Sequence, residues 1–391
     1  MSDKFFVLSF SEWNKFHPHD PPEEADRRRY ILRRLLQQIE SLNPAGIISA
    51  CGSEVDLAHI YDDVFKLLEP WCKKNNKNFY IFSPAKPYDY NIEQYKHVIW
   101  TEFQGYDLYN FHEIVQYYNA KRPIATEPQK LFTCYNNRPE LHRTLMVDQL
   151  ARFDLLFDGI VTYKHMTEIL VKTNPNFVLE EYFKYYKGFP ILVDDAEFVL
   201  HKTFLPNDVP KSYLDGLVDI VTESRFENTE TFLSEKTSRP LMTQKPFLVV
   251  SCQHYHKWLT TKGIEPYTEI FDYSFDDCPT IEKRVEGIIE NLLKLRTEYR
   301  TPEDYKNLLL QLKPKLEHNL NEYLKHTASG HQILQSIPFE WMFTEDHPSV
   351  IEKHLCREQD FDGEFCAIHT FIHHIVKPYR EGRYQLPNIS V

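Results

Sequence analysis

The stretch SEKT (residues 234–237) lies where a loop meets a helix, just before the apolar run PFLVVS. Ser234 is a favourable N-cap residue, which puts Glu235 and Lys236 in the first helical turn. Glu235 complements the positive end of the helix dipole, but Lys236 opposes it unless an anion is held there. Helix N–H groups and an ammonium group together form a phosphate site, and a carboxylate can accept bonds from both ribose hydroxyls. This stretch therefore predicts contacts with a nucleotide.

A second polar cluster, in CYNNRPELHR (residues 134–143), follows a predicted strand and begins a predicted helix. Asn137 ends the strand, and Arg143 lies in the first turn of the helix. A positive charge at this end of a helix is unfavourable unless it holds an anion. The alternative is that Arg143 is a surface residue or pairs with Glu140 within the helix.

Glu223 follows the apolar run LVDIVT, at the carboxyl end of a predicted strand. Ligands of open α/β sheets bind at such strand ends, where a carboxylate accepts hydrogen bonds from a sugar hydroxyl or a base edge. The alternative is that Glu223 is the partner of a helix N-terminus or is solvated in a loop. Each of the three clusters alone is more typical of a solvated face. Together, in order and on consecutive strand ends, they predict a site for a nucleotide diphosphate.

Strands and helices alternate along the chain, a pattern typical of a parallel sheet covered by helices. Apolar residues spaced by three and four mark the helices. In the first part the predicted strands are KFFVLSF, AGIISA, NFYIFSP and HVIWTEF, and the predicted helices are EEADRRRYILRRLLQQIESL and VDLAHIYDDVFKLLEPW. In the second part the predicted strands are KLFTCYNN, GIVTYK, LVDIVTES and KPFLVVS, and the predicted helices are PELHRTLMVDQLARFD, SEKTSRPLMTQ, HYHKWLTTKG and TIEKRVEGIIENLLKLR, before a helical tail.

The order of these motifs resembles the donor domain of the α1,3-fucosyltransferase family. That family has an Asn and an Arg at a helix start, then Phe-Glu-Asn, then Ile-Thr-Glu-Lys before a strand that begins with Pro. This chain has NN…HR, TES, SEKT and PFLVVS in the same order within residues 130–277. It is also similar to glycosyltransferase-like proteins of phages and large DNA viruses, which carry Thr-Glu-Lys-Thr and Pro-Phe at this spacing.

The resemblance implies a glycosyltransferase that moves a sugar from a nucleotide-diphosphate donor, GDP- or UDP-linked, to a hydroxyl of a glycan or small molecule. Arg143 and Lys236 would hold the diphosphate and neutralise it as it leaves, without a metal ion. Glu235 would bind the ribose, while Glu223 and Asn137 would line the donor pocket. The implied donor-binding set is Asn137, Arg143, Glu223, Ser234, Glu235, Lys236 and Thr237.

The predicted architecture is an α/β fold with two Rossmann-like domains that face a cleft, of the GT-B type, followed by C-terminal helices. We expect an acceptor domain over residues 1–125, a donor domain over residues 126–300, and a helical segment over residues 301–391 that packs across both domains. An inverting reaction needs a general base on the first domain. Glu102, at the end of HVIWTE, is the first choice and Glu54, after AGIISACGS, is the second, both from strand-end position alone.

Two alternative functions stay open. One is transfer of a sugar to modified bases of viral DNA, for which the arginines of DRRRYILRRL would form a basic groove. The other is an α/β protein that binds a nucleotide sugar without turnover. The formal net charge of −12 disfavours a protein that coats duplex DNA, because affinity for phosphates needs a basic surface.

Three further polar clusters have less specific patterns. PILVDDAEF (residues 190–198) resembles the acidic motif that holds a metal ion and nucleotide sugar in the other large glycosyltransferase fold, but an Asp pair after a strand is more often a turn. FDYSFDD (residues 271–277) is either a cleft-lining loop or a capping run. His369 and His373 share one helical face, yet without the Glu of H-E-x-x-H they predict no metal site.

Cysteine usage and the N-terminus bear on the compartment. The seven cysteines are scattered without a C-x-x-C pair, which favours a reducing compartment over a disulfide framework. The N-terminal apolar run is too short for a signal peptide, and no run approaches the length of a membrane span. These features predict a cytoplasmic protein, in the host cytoplasm if it is viral.

Overall fold

The structure is a computed structural model, and its chain divides into two compact units. The first unit contains the N-terminal strands, and the second contains the described residues from 124 to 326. Each unit is built around a parallel sheet. The structure describes residues 6–8, 30, 33–34, 36–37, 39–44, 46–50, 57–83, 95–102, 124–136, 140–163, 184–186, 211–223, 226, 231 and 233–336.

The sheet of the first unit has its strands in sequence order. Among the described residues it has four strands, all parallel, in the order β1-β2-β3-β4. A long helix, α1, connects β2 to β3, and the described residues between 30 and 42 are also helical, as predicted. The bounds are β1 (Phe6–Leu8), β2 (Ile47–Ala50), α1 (Leu57–Asn75), β3 (Phe79–Ser83) and β4 (Val98–Glu102).

Helix α1 packs its apolar side on this sheet. Phe65 and Leu68 of the helix and Phe79 of β3 have no exposed surface, and the rings of Phe65 and Phe79 meet edge to face at 5.9 Å. The helix ends at Asn75 and is followed by Asn76, whose φ of 52° is left-handed. The N–H of Lys77 bonds back to the carbonyl of Cys72 at 2.9 Å. A left-handed Asn is a common helix stop because its short polar side chain tolerates that backbone.

The sheet of the second unit is doubly wound. Its described strands are parallel in the order β6-β5-β7-β8, so the chain moves outward from β5 to β6, then returns to the other side of β5 for β7. The strand order therefore reverses between β5 and β7, which is the position where open α/β sheets bind ligands. The bounds are β5 (Lys130–Asn136), β6 (Gly159–Tyr163), β7 (Gly216–Thr222) and β8 (Phe247–Val250).

Helices cover this sheet and bury its strands. Every residue of β7 is buried, which fits a near-continuous apolar strand covered on both faces. Helix α6 contributes Ile288 and Leu292 to the same core. The helices are α2 (Leu141–Arg152), α3 (Lys211–Leu214), α4 (Glu235–Thr243), α5 (Tyr255–Thr261), α6 (Ile281–Glu298) and α7 (Pro302–Ser336), with a 3₁₀ helix at Ser274–Asp277.

Helix α7 packs onto the second unit over most of its length. Leu308, Leu312, Leu316 and Leu320 recur on one face and join the core of the sheet. The α/β class is confirmed, and so are the predicted strands and helices over the residues that the structure describes. That the segment 301–391 packs across both domains stays a prediction, and residues 337–391 lie outside the described part of the chain.

Candidate anion-binding site

The carboxyl ends of three neighbouring strands are tied together at the switch point. The side-chain oxygen of Asn136, the last residue of β5, accepts a hydrogen bond from the hydroxyl of Thr222, the last residue of β7, at 2.7 Å. The backbone N–H of Asn136 donates to the hydroxyl of Thr162 in β6 at 3.0 Å. All three residues are buried. These hydrogen bonds join the ends of β5, β6 and β7 at the edge of the sheet that precedes α2 and α4.

Helix α4 begins as the sequence predicts. Ser234 is its N-cap, with an extended backbone, and the Ser234 hydroxyl accepts a hydrogen bond from the N–H of Lys236 at 3.2 Å. Glu235 is the first residue of the helix and Lys236 is the second, so both lie in the first turn. Pro240 lies inside α4, which is nine residues long. A short helix fits a proline at this position, because the proline removes one backbone hydrogen bond.

The carboxylate of Glu223 holds the start of α4. One oxygen, Oε1, accepts from the N–H of Ser234 at 3.0 Å and from the hydroxyl of Thr237 at 2.6 Å. The other oxygen, Oε2, accepts from the hydroxyl of Ser234 at 2.6 Å. Glu223 and Ser234 have no exposed surface. The interpretation of Glu223 as the partner of a helix N-terminus is therefore confirmed.

Two tyrosines that sequence analysis did not select complete this network. The hydroxyl of Tyr255, in α5, lies 3.1 Å from the hydroxyl of Thr237. The hydroxyl of Tyr323, in α7, donates to Ser238 at 2.8 Å, and Ser238 donates to the carbonyl of Ser234 at 3.1 Å. The first turn of α4 is thus fixed by elements that follow it by many residues, so no local sequence signal could have indicated either tyrosine.

Arg143 lies in the first turn of α2, close to Glu223. Its guanidinium Nη2 is 3.2 Å from Oε2 of Glu140 and 3.5 Å from the carbonyl oxygen of Glu223. The side chain of Arg143 is buried, and among the residues described its Nε has no hydrogen-bond partner. Pairing with Glu140, one of the two alternatives left by the sequence, is therefore confirmed.

His142, beside Arg143, is a buried site residue that sequence analysis missed. Its Nε2 lies 2.6 Å from the carbonyl oxygen of Glu223, and its ring stacks on Phe226 with centroids 4.7 Å apart. A carbonyl only accepts, so Nε2 carries the proton and Nδ1 is the acceptor of the neutral ring. Within the described part of the chain, Nδ1 has no hydrogen-bond partner.

Burial and the charges of the two predicted cations act on the pKa of His142. Burial lowers the pKa of His142 well below 6.5, and the positive charges of Arg143 and Lys236 lower it further. The hydrogen bond to the Glu223 carbonyl acts in the opposite direction and raises this pKa. Burial, as the largest effect, keeps His142 neutral.

Contacts connect these two cations to Glu223. Nη2 of Arg143 lies 3.5 Å from the carbonyl oxygen of Glu223. Nζ of Lys236 lies 3.4 Å from the Ser234 hydroxyl, which donates to the Glu223 carboxylate. The two cations share this region with the carboxylates of Glu140 and Glu223.

The remaining predicted residues are placed only in part. Glu102 is the last residue of β4, at the carboxyl end of the strand as predicted, and its Cα is in register with that of Ser83. Glu54 and Asn137 lie outside the described residues. Asp194, Asp195, Glu197, His369 and His373 also lie outside them.

The capping interpretation of the FDYSFDD segment is confirmed at Asp276. Its carboxylate accepts from the backbone N–H groups of His256 and Lys257, both at 3.1 Å, and so caps α5 from another element. Nδ1 of His256 also lies 3.1 Å from this carboxylate, while Nε2 accepts from the N–H of Val249 in β8 at 3.1 Å. Nδ1 therefore carries the proton of His256, and a neutral ring is held in one tautomer.

The described residues contain neither a metal-binding cluster nor a membrane-spanning helix. In the part of the chain that is described, no group of three or more His, Cys, Asp or Glu side chains is arranged to hold a metal ion. Among the helices of these same residues, none has the length and hydropathy needed to cross a membrane.

The chain is similar to one solved structure. It is a UDP-GlcNAc 2-epimerase from Neisseria meningitidis bound to UDP-GlcNAc, with 11% sequence identity and a TM-score of 0.35. The similarity covers 83% of this chain and 84% of that one. No protein-family model matches the sequence, and no curated protein matches it significantly.

Proposed function

We propose that the protein is a nucleotide-sugar-dependent glycosyltransferase whose donor site lies at the carboxyl ends of β5 and β7. The observation that carries the proposal is that Arg143 and Lys236, each in the first turn of a helix, both reach Glu223 at the switch point of the sheet. Arg143 lies beside the Glu223 carbonyl, and Lys236 lies beside the Ser234 hydroxyl that donates to the Glu223 carboxylate. Helix N-termini attract anions, and an anion bound between the starts of α2 and α4 would gain from both cations.

A nucleotide diphosphate fits this arrangement. The guanidinium of Arg143 would bind one phosphate through paired N–H donors, and the ammonium of Lys236 would neutralise the other as the donor bond breaks. N–H groups at the start of α4 would add further donors, with Ser234 and Thr237 shaping that turn. Glu235 would accept bonds from the ribose hydroxyls.

The remaining roles extend the proposal to the whole chain. Residues 126–300 would form the donor domain and residues 1–125 the acceptor domain, with Asn137 in the donor pocket. For an inverting reaction Glu102 or Glu54 would remove the proton of the acceptor hydroxyl. The donor would be a GDP- or UDP-sugar, used without a metal ion, and the acceptor a glycan or small molecule.

A thermal-unfolding screen tests the donor site. GDP, UDP, CMP, dTDP and ADP would each be added to the wild type, to Lys236→Ala and to the control Lys283→Ala, whose side chain is exposed on α6. A ligand at about 100 times its dissociation constant adds about 2.7 kcal/mol to the free energy of unfolding. We expect one nucleotide to stabilise the wild type and the control but not Lys236→Ala. Absence of any shift on a folded wild type would sink the donor-site proposal.

A turnover assay then separates an enzyme from a binding protein. The sugar-linked form of the nucleotide that binds would be incubated with the wild type, and release of the free nucleotide would be followed. Donor hydrolysis or transfer supports a glycosyltransferase, whereas tight binding without release supports a nucleotide-sugar-binding protein. Glu102→Gln and Glu54→Gln should lower kcat without changing nucleotide affinity if either is the general base. Retained binding to duplex DNA at moderate salt would favour DNA as the acceptor.

A further inference from the structure

Glu223 contacts both halves of the candidate site through different atoms. Its carboxylate holds the first turn of α4 through Ser234 and Thr237. Its backbone carbonyl accepts from Nε2 of His142 at 2.6 Å and lies 3.5 Å from Nη2 of Arg143, both in the first turn of α2. One residue at the end of β7 therefore connects the helix that carries Lys236 to the helix that carries Arg143.

Burial argues against a direct role of Glu223 in ligand binding. The residue has no exposed surface, and its carboxylate already accepts three hydrogen bonds from Ser234 and Thr237. A ligand hydroxyl would have to displace one of these donors and leave it unsatisfied in the interior. An unsatisfied buried donor costs about 1–3 kcal/mol, so the network favours contacts within the protein.

The hydroxyl of Ser234 passes the effect of Glu223 to Lys236. This hydroxyl donates to Oε2 of Glu223 and at the same time accepts from the backbone N–H of Lys236. The Glu223 carboxylate thus determines the direction in which the Ser234 hydroxyl presents its lone pairs. The orientation of the first turn of α4, and with it the position of Lys236, depends on that hydroxyl.

We propose that Glu223 is a positioning residue that sets the separation between Lys236 and Arg143 and does not itself contact the nucleotide. The proposal rests on the proposed function, because the two cations are taken to bind one diphosphate. It predicts that loss of the carboxylate weakens nucleotide binding only through Lys236. A residue that contacts the ligand would instead act independently of Lys236.

A double-mutant cycle tests this dependence. Calorimetric titrations with UDP and GDP would be made on the wild type, Glu223→Gln, Lys236→Ala and the double variant, under conditions where each is folded. Glutamine has nearly the shape of glutamate but places an amide donor where the Ser234 or Thr237 hydroxyl now donates. We expect Glu223→Gln to raise the dissociation constant about tenfold, a loss of about 1.4 kcal/mol in binding free energy. In the Lys236→Ala background the same change should raise it less than about twofold.

Asp276→Asn is the matched control. Asp276 is also a buried carboxylate that accepts hydrogen bonds from the start of a helix, but that helix is α5. The substitution Asp276→Asn should lower the stability of the protein and leave the dissociation constant of the nucleotide unchanged. If Glu223→Gln does not fold, Thr237→Val removes one donor to the same carboxylate. Its effect on the dissociation constant should likewise shrink in the Lys236→Ala background.

The outcomes are distinct. If Glu223→Gln raises the dissociation constant equally in the wild-type and Lys236→Ala backgrounds, Glu223 contacts the ligand itself. If Glu223→Gln leaves the dissociation constant unchanged, Glu223 only caps the helix. Either result overturns the proposal. If the wild type binds neither UDP nor GDP, the proposed donor site fails first, before any variant is compared.

Discussion

The ammonium group of Lys245 lies over the ring of Tyr213, 4.1 Å from its centroid, and donates to the carbonyl oxygen of the same tyrosine at 2.7 Å. The ammonium also donates to the hydroxyl of Thr133 at 2.9 Å. The carboxylate of Asp219 accepts from the hydroxyls of Thr133 and Tyr213. All four residues are buried, so this group, the Lys245 cluster, ties together β5, β7, α3 and the segment before β8 without access to solvent.

The Lys245 cluster predicts a rise in stability with pH. Burial lowers the pKa of Lys245 from 10.5 to about 7; Asp219 and Asp215 act to raise the pKa, and Arg239 acts to lower it. Between these two pKa values the unfolded chain binds more protons than the folded protein, so the free energy of unfolding should increase as pH rises above 7. Because a single proton is involved, the free energy of unfolding should rise by at most about 1.4 kcal/mol per pH unit.

Urea unfolding at pH 7, 8 and 9 would measure this effect in the wild type and in Lys245→Met. Methionine is unbranched like lysine and only one heavy atom shorter, but it does not titrate. The difference in unfolding free energy between wild type and variant should therefore grow in favour of the wild type as pH rises. Parallel pH dependences in the two proteins would contradict a lowered pKa for Lys245.

Asp276→Asn should destabilise the protein by about 1–3 kcal/mol, the cost of leaving buried donors without a charged acceptor. The carboxylate caps α5 and fixes the tautomer of His256. Burial alone would raise the pKa of Asp276, but bonds from His256 and from backbone N–H groups hold the pKa below its ordinary value. The stability that the ionised Asp276 carboxylate contributes is therefore present above about pH 4 and is lost as pH falls further.

Denaturant unfolding at neutral pH checks this effect, with Asp277→Asn as the control. Asp277 is the next residue, but its side chain is 55% exposed and pairs with Lys257 and His254 on the surface. A surface pair contributes little, so the control should change stability by less than about 1 kcal/mol. Equal effects of the two substitutions would show that Asp276 does not act through the helix cap.

Gln244→Gly should stabilise the protein by about 0.5–1 kcal/mol. Gln244 ends α4 with a left-handed φ of 54°, a conformation that glycine adopts without steric cost. Gly263 follows α5 with a φ of 80°, and an added Cβ there would lie 2.9 Å from Oε2 of Glu322. Gly263→Ala should therefore destabilise the protein. Thermal unfolding should give a higher melting temperature for Gln244→Gly and a lower one for Gly263→Ala than for the wild type. A lower melting temperature of Gln244→Gly would contradict the expectation.

Gly287→Ala should destabilise the protein by about 1–3 kcal/mol, although alanine is the better helix former. An added Cβ at this position in α6 would lie 2.4 Å from Cβ of Phe275, in the 3₁₀ helix that packs on α6. Glu290→Ala, on the exposed side of the same helix, is the control and should change stability by less than about 0.5 kcal/mol. A melting temperature for Gly287→Ala at or above that of the wild type would show that the contact relaxes freely.

Local sequence patterns were sufficient to predict most elements of the fold. The run KLFTCYNN became β5, TIEKRVEGIIENLLKLR became α6, and Ser234 became the N-cap of α4. The predicted helix HYHKWLTTKG became α5, and Gly263, its last residue, directly follows the helix end, where the N–H of Ile264 bonds back to the carbonyl of Leu259. These features depend on apolar periodicity and on residues a few positions apart, so the sequence contains the information that specifies them.

The order of the strands and the partners of buried polar groups were decided only by the tertiary structure. The sequence by itself determined that Arg143 and Lys236 begin helices after strands, because strand, cap and first turn are local. It could not determine that the order β6-β5-β7-β8 brings His142 to the carbonyl of Glu223, 81 residues away. It also left open whether Glu223 faces a ligand or a helix. That choice depends on which donors share its buried environment, and those donors come together only when the sheet has formed.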